Sequence, residues 1–257
     1  MNEIISLNIG QFALIYLLLF VVLLVMKKCR ISQTKLLVVA SVRMTVQLAL
    51  AGLILTYIFD NPHPAFTVSY IVLMTGFASY MAIQRNKTIN RNFKWIVAAS
   101  LSVSGITIVC FFILVIVGVS IFNPQYTIPI SGMIIGNAMT GVSLGVKTFH
   151  ENIHAQRTQI DALVNMGVTP PRILTPFVNR AIETALLPTL NSMLGMGIIS
   201  LPGMMTGQIL SGTWPMTAIL YQIAIIIAIS AVTCLSVFCA LFFGYRTLYN
   251  KRNQIMI

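Results

Sequence analysis

The sequence is poor in charged residues, and few of those it has are acidic. Charged side chains make up 8% of its 257 residues, whereas a soluble globular domain has about a quarter. Only 5 Asp or Glu residues occur beside 16 Lys or Arg residues, which gives a net charge of +11. The chain therefore has no room for a sizeable soluble domain. Because 57% of its residues are hydrophobic, it is predicted to be a polytopic membrane protein.

Two sequence motifs are absent, and each absence excludes a kind of site. The chain has 4 cysteines and no C-x-x-C pair, so we expect neither a disulfide framework nor a zinc knuckle. It also has no G-x-x-x-x-G-K-[ST] motif, which excludes ATP binding by a P-loop in this chain. If ATP drives its activity, a separate subunit has to supply the nucleotide site.

Apolar runs long enough to cross a bilayer follow one another along the chain. We predict an all-α protein with about seven transmembrane helices in a single domain over residues 1–257. The predicted spans are roughly Ile9–Met26, Leu36–Phe59, Phe66–Ile83, Trp95–Phe122, Tyr126–Val146, Leu186–Leu210 and Trp214–Gly244.

Lys and Arg are confined to alternate connections and to the C-terminal segment. The positive-inside rule then predicts an outer N-terminus and a cytoplasmic C-terminus in the plasma (inner) membrane. The exception among the 16 basic residues is Arg43, which lies within the second span. Since topology accounts for the positive charge, we expect no nucleic-acid partner.

One connection, over residues 147–183, is long, and the topology makes it cytoplasmic. Its apolar positions predict a helix that Gly167 ends, because glycine is the usual residue after a helix C-terminus. Thr169 followed by Pro170 predicts the start of a second helix, which runs through Arg180 into the sixth span. The alternative is an amphipathic linker lying on the membrane surface.

The fifth and sixth spans combine glycines at four-residue spacing with polar side chains. Such glycines allow close helix contact and are weak evidence of function by themselves, whereas a broken, polar helix is typical of transport pathways. The alternative is a proline kink whose backbone groups bond to neighbouring helices. The predicted translocation path or hinge comprises Gly132, Gly136, Asn137, Pro202, Gly203, Met204, Met205, Thr206, Gly207 and Gln208.

Two further interactions are predicted within the spans, an ion pair of an intramembrane charge and metal ligation by methionine sulfur. Arg43 lies one turn before Gln47, and Glu183 at the inner edge of the sixth span is a candidate partner. Alternatively, the Arg43 side chain extends to the cytoplasmic surface. Met204 and Met205 are candidate ligands of a soft metal ion, although methionine is more often a packing residue.

The segment from His150 to His154 reads H-E-N-I-H, which is the signature of zinc metalloproteases. A membrane protease that uses His150, Glu151 and His154 is therefore one hypothesis, with Glu183 as a conceivable third ligand. Against it, the helix is short, exposed and without a second domain that would form a dry cleft.

Three stretches carry a resemblance to a known family. They are P-I-S-G-M-I-I-G-N-A-M-T from Pro129, D-A-L-V-N-M-G-V-T-P from Asp161, and L-P-G-M-M-T-G-Q-I-L-S-G from Leu201. With them, the chain resembles the FetB-like (UPF0014) family of ABC-transporter permeases, which includes plant aluminium-tolerance permeases. The resemblance implies a permease homodimer in the lipid membrane that binds two copies of a cytoplasmic ABC ATPase.

The second stretch also resembles the E-A-A-x-x-x-G loop through which ABC permeases contact their ATPase. Asp161, Ala162, Leu163 and Gly167 match that pattern, with Asp in place of Glu and Leu in place of the second Ala. We expect Pro170 and Arg172 to move with this coupling segment.

We therefore predict a transport subunit that is not itself an enzyme. It binds no cofactor of its own, and the partner subunit supplies ATP and Mg²⁺. The resemblance implies export of iron or another metal for bacterial members and a nucleotide sugar, similar to UDP-glucose, for plant members. A permease-like scaffold without transport is a further alternative.

Overall fold

The computed structural model describes residues 8–86 and 89–250, and it confirms an all-α architecture for them. Its α-helices are α1 (Ile9–Lys28), α2 (Thr34–Asp60), α3 (Pro64–Gln84), α4 (Arg91–Phe111), α5 (Pro124–Ala155), α6 (Arg157–Asn165), α7 (Pro170–Gly195), α8 (Gly203–Leu210) and α9 (Pro215–Gly244). A π-helical segment, Phe112–Val117, continues α4, and a 3-10 turn, Tyr245–Leu248, follows α9.

Six helical segments of the described chain are long and apolar enough to cross a membrane, and they correspond to six of the predicted spans. The remaining run, Leu186–Leu210, is not one helix. It comprises the end of α7, an irregular segment over residues 196–202, and α8. Gly197 in this segment has φ +85°, a conformation that interrupts helical geometry and favours glycine. Pro202 then immediately precedes α8.

The described chain divides into two compact units. The first contains α1 and α2, from residue 8 to Pro62, together with Leu210–Thr213. Tyr16 and Thr45 join α1 to α2 through a hydrogen bond of 2.6 Å between their hydroxyl groups. Most side chains of these two helices are exposed, and most of the exposed ones are apolar, as in helices whose surroundings are lipid or other apolar helices.

The second unit contains α3 to α7, most of α8, and α9. Its core is formed where α5 and α9 pack against each other and against α3, α4 and α7. Gly141 and Gly145 of α5 make the close approach possible. A Cβ atom added at Gly145 would lie 2.9 Å from Val237 Cγ1 of α9, and one at Gly141 would overlap the Thr233 methyl group. This glycine pair therefore has the packing role that its spacing indicates.

Several contacts bring particular helix ends together in the second unit. The Phe93 ring, near the start of α4, lies 6.3 Å from the Phe149 ring, near the end of α5. The same ring also lies where a Cβ atom of Gly244, the last residue of α9, would be. Asn86, just after α3, donates hydrogen bonds to the Ala82 and Ser143 carbonyl oxygens, at 3.1 and 3.3 Å. The end of α3, the start of α4 and the ends of α5 and α9 therefore lie at the same end of the unit.

Candidate functional site

The predicted coupling segment forms α6, a turn, and the start of α7. α6 is anchored by Ile160, which is 1% exposed, while Asp161 and Ala162 are exposed and Leu163 is half-buried. The predicted helix end is confirmed. Gly167 has φ +81°, its N–H donates to the Val164 carbonyl, and the Val168 N–H donates to the Leu163 carbonyl. This bonding pattern is a Schellman motif, which requires the left-handed conformation that glycine adopts readily.

The second helix begins as its sequence predicts. Thr169 is the N-cap residue in extended conformation, and Pro170 is the first helical residue. Between α6 and α7 lies a groove of about 460 Å³ that the sequence did not suggest. Its apolar wall includes Ile160, Ile173 and Phe177, and the exposed side chain of Arg172 lies at its edge. A short helix, a fixed turn and an open apolar groove together form a surface suited to binding another protein.

The polar residues predicted in the fifth span lie on an exposed face of α5. Asn137 and Thr140 are exposed, and their side chains donate to carbonyl oxygens of their own helix, Met133 at 2.7 Å and Gly136 at 3.1 Å. Gly132 and Gly136 are half-buried, and a Cβ atom at Gly136 would meet nothing within 4 Å. Unlike Gly141 and Gly145, Gly136 is therefore not packed against another helix within the described residues.

The residues from Pro202 to Gln208 comprise the proline that precedes α8 and most of that short helix. The Thr206 hydroxyl donates to the Pro202 carbonyl oxygen at 3.1 Å, while Gly203 and Gly207 have open space where a Cβ atom would be. Gln208 is half-buried within α8. Among residues 8–86 and 89–250, no helix therefore packs closely against this side of α8.

The methionines of this region have packing contacts. Met204 packs against the core, and Met205 is 9% exposed. The sulfur atoms of Met193 and Met196 lie 3.4 and 3.9 Å from hydroxyl and amide donors of α9. These contacts explain the methionines as packing residues, and metal ligation by Met204 and Met205 stays a prediction.

The predicted intramembrane charges fall in different units. Arg43 and Gln47 are exposed on α2 of the first unit, and Glu183 is exposed on α7 of the second. Pairing between Arg43 and Glu183 therefore stays a prediction.

The two histidines of H-E-N-I-H lie side by side in the last turns of α5. Their Nε2 atoms are 3.1 Å apart, and the rings are nearly perpendicular, with centroids 4.3 Å apart. The 32 residues of α5 span about 48 Å, more than the roughly 30 Å hydrocarbon core. Since the predicted fifth span ends at Val146, we place the two histidines outside the membrane. Burial, and then the charge of the neighbouring His154, hold the pKa of His150 below its ordinary value, although Glu151 opposes them.

A protease site needs more than this pair. Catalytic zinc takes three protein ligands, yet no three His, Cys, Asp or Glu side chains of the described residues come together as a metal site. Glu183 is thus not brought to the two histidines. Glu151 points elsewhere and forms an exposed ion pair with Lys147 at 3.7 Å.

The structure also contains polar residues that the sequence analysis missed. Asn86 is one, and it fixes the end of α3 to α5. Others are hydroxyl groups buried between helices for which the structure gives no hydrogen-bond partner, on Thr127, Ser131, Thr233 and Ser236. Their presence inside long apolar runs was a signal, because polar side chains in a span usually face the bundle interior.

Comparison with known proteins identifies relatives over almost the whole chain. Residues 9–249 match the family described as "Uncharacterised protein family (UPF0014)". "UPF0014 membrane protein YjkA" of Bacillus subtilis is 30% identical over 95% of this chain and 96% of its own length. "Probable iron export permease protein FetB" of Escherichia coli is 32% identical over 95% and 93%. "Protein ALUMINUM SENSITIVE 3" of Arabidopsis thaliana is 32% identical over 83% and 77%. No solved structure matches the chain.

Proposed function

Since the chain belongs to the UPF0014 family, we propose that it is the membrane-spanning permease subunit of an ABC transporter. The observation that carries this proposal is the α6–Gly167–α7 arrangement. It is a short helix joined by the turn at Gly167 to a long helix that ends just before the irregular segment over residues 196–202. Transport of iron or another metal ion out of the cytoplasm is the proposed activity, in keeping with the name of the Escherichia coli relative.

The proposed partner is a cytoplasmic ABC ATPase, bound at α6. Asp161 and Ala162 are exposed there, while Ile160 anchors the helix to the permease. The neighbouring groove, with Arg172 at its edge, supplies an apolar surface into which a partner side chain fits. Because the sequence has no P-loop, ATP and Mg²⁺ are bound by that partner.

The proposed translocation path follows the exposed polar face of α5 and the segment around α8. Asn137 and Thr140 are exposed on α5, which is long and apolar enough to cross a membrane, and polar faces within a span are stable beside protein or a water-filled cavity. A second copy of the permease is the proposed cover, so that the path lies between the two protomers.

α7 is the proposed mechanical link between these two regions. It is continuous from Pro170 to Gly195, a length of about 39 Å. A displacement of its first turn by the ATPase is therefore carried to the irregular segment around Gly197 and Pro202. This irregular segment is the proposed hinge, and α8, which follows it, has open space at Gly203 and Gly207.

Co-purification tests the partner. The tagged chain is purified from its own host in mild detergent, and stoichiometric companions are identified by mass spectrometry. The proposal expects a companion with a P-loop. A preparation that contains the chain alone, in detergents that preserve known membrane complexes, contradicts it.

The substrate is tested with that complex in proteoliposomes. We expect Fe²⁺ to stimulate ATP hydrolysis and to be transported. Stimulation by UDP-glucose and not by Fe²⁺ would replace the metal substrate by a nucleotide sugar. A complex that responds to neither and hydrolyses no ATP would favour the scaffold alternative.

A further inference from the structure

The histidine pair at the end of α5 has no role in the proposed transport cycle. His150 and His154 are one turn apart, and their Nε2 atoms are separated by 3.1 Å. The residues that precede each of them, Phe149 and Ile153, are 2% and 1% exposed. These two buried side chains fix the last turns of α5 in the core. The histidines are therefore held on a rigid helix end and do not depend on a flexible loop for their position.

The separation of the two nitrogens fits a single metal ion between them. With metal–nitrogen bonds of about 2.0–2.1 Å, two ligands of a tetrahedral ion lie about 3.3–3.4 Å apart. Two adjacent ligands of an octahedral ion with the same bonds lie about 2.9 Å apart. The 3.1 Å in the structure lies between these values. Small side-chain rotations are therefore enough to bring both nitrogens to one ion, with no change in the backbone.

The donor set decides which ions the pair selects. Imidazole nitrogen suits Zn²⁺, Cu²⁺, Ni²⁺ and Fe²⁺, whereas Mg²⁺ and Ca²⁺ prefer oxygen ligands. No third His, Cys, Asp or Glu of the described residues joins the pair, so water would occupy the other coordination positions. Such a site is open and exchangeable, unlike the closed sites of structural zinc.

We propose that His150 and His154 form an open binding site for a divalent transition-metal ion at the junction of α5 and α6. Both rings bind through Nε2 with the proton on Nδ1. The bound ion then connects the two rings in place of the hydrogen bond that connects them in the structure. His154 lies two residues before Gln156, where α5 ends and the chain turns into α6. Occupancy therefore stiffens the junction that leads to the coupling helix.

This site goes beyond the proposed transport and is tested without it. The full chain, purified in detergent with a tag that contains no histidine, is titrated with Zn²⁺ by isothermal calorimetry, and with Mg²⁺ as a control. We expect one equivalent of Zn²⁺ and no Mg²⁺. His150→Ala and His154→Ala should each weaken Zn²⁺ binding at least tenfold, and the double variant should abolish it.

Control variants test whether Zn²⁺ binding depends on His150 and His154 in particular. His63→Ala removes the remaining histidine of the sequence, which caps α3, and should leave Zn²⁺ binding unchanged. Glu183→Ala should also leave it unchanged. His154→Cys retains a zinc ligand and should restore most of the affinity. Unchanged Zn²⁺ binding in the double variant would overturn the proposal, as would a loss with Glu183→Ala as large as that with His150→Ala.

Hydrogen exchange provides a second measurement on the same samples. Zn²⁺ should slow amide exchange at residues 151–156 at least severalfold in the wild-type protein. The effect should be absent in the double variant. Both histidines are at least partly exposed, so we expect the variants to fold. Equal slowing in wild type and double variant would place the bound ion elsewhere and reject the assignment.

Discussion

Three glycine pairs share the four-residue spacing, namely Gly132 and Gly136, Gly141 and Gly145, and Gly203 and Gly207. The structure gives them different surroundings, and alanine substitution tests the difference. At Gly145 an added Cβ atom lies 2.9 Å from Val237 Cγ1 and 3.2 Å from Ala185 Cβ. Carbon atoms pack best at about 3.5–4.0 Å. Neither neighbour can rotate away, because a β-branched side chain in a helix has one strongly preferred rotamer and the alanine Cβ is fixed to its backbone.

The expected magnitude follows from these contacts. Overpacking of this kind costs about 1–3 kcal/mol, and glycine-to-alanine exchange inside a helix recovers about 0.5–1 kcal/mol. Gly136→Ala in the same helix has the same propensity gain, but its Cβ atom meets nothing within 4 Å. The propensity gain cancels between the two variants, so Gly145→Ala should be less stable than Gly136→Ala by about 1–3 kcal/mol.

Thermal unfolding in mild detergent, followed by tryptophan fluorescence and by monodisperse elution, measures this difference. For chains of this length about 2–4 °C of midpoint corresponds to 1 kcal/mol. We therefore expect Gly145→Ala to unfold about 2–12 °C below Gly136→Ala. Equal midpoints would refute the packing of α5 against α7 and α9, and with it the division of the glycines into packed and open pairs.

The remaining predictions concern polar side chains. Asn86→Ala should lower the free energy of unfolding by about 0.5–1.5 kcal/mol, because it removes the buried amide's hydrogen bond to the Ser143 carbonyl oxygen of α5; a change below the error of repeated melts would contradict this. Asn137→Leu should leave the unfolding midpoint within error, since that amide bonds only to its own helix, but should reduce substrate-stimulated ATP hydrolysis severalfold in the complex. Arg157→Ala should change stability by less than about 1 kcal/mol, since its ion pair with Asp161 is more than half exposed on both sides.

Substitution of Gly167 tests coupling to ATP hydrolysis separately from folding and membrane insertion. Gly167→Val places a β-branched residue at φ +81°, which disrupts the turn between α6 and α7. We expect membrane insertion to persist and transport to lose its dependence on ATP hydrolysis. Asn tolerates this conformation, so Gly167→Asn should retain coupling. If Gly167→Val transports as efficiently per ATP as the wild type, the segment is not the coupling element.

The sequence correctly predicted the helix ends that depend only on neighbouring residues. Gly167 ends α6, and Thr169-Pro170 begins α7, because backbone conformation and capping depend on a few neighbouring residues. The run Leu186–Leu210 was different. Hydrophobicity predicted a span there, whereas the chain leaves helical geometry after Gly195, seven residues before α8 begins. Average hydropathy over a window does not register where a helix breaks.

The same contrast holds for the candidate sites. The spacing H-E-N-I-H predicted that His150 and His154 share a helix face, and their nitrogens do lie 3.1 Å apart. It could not establish a third ligand, because residues 29 positions apart meet only if tertiary packing brings them together. The groove between α6 and α7 was equally invisible, since each of its walls is an ordinary amphipathic helix.

The sequence by itself determined the class of protein, since scarce charge and long apolar runs leave no other stable setting than a membrane. It also determined the helix caps and which side chains lie one helical turn apart, because both depend on residues three or four positions apart. Only the tertiary structure decided which glycines pack against another helix and which polar side chains are buried. It also decided that no third metal ligand of the described residues lies beside His150 and His154. Those properties depend on residues far apart in the chain, and a periodic pattern carries no information about what lies opposite it.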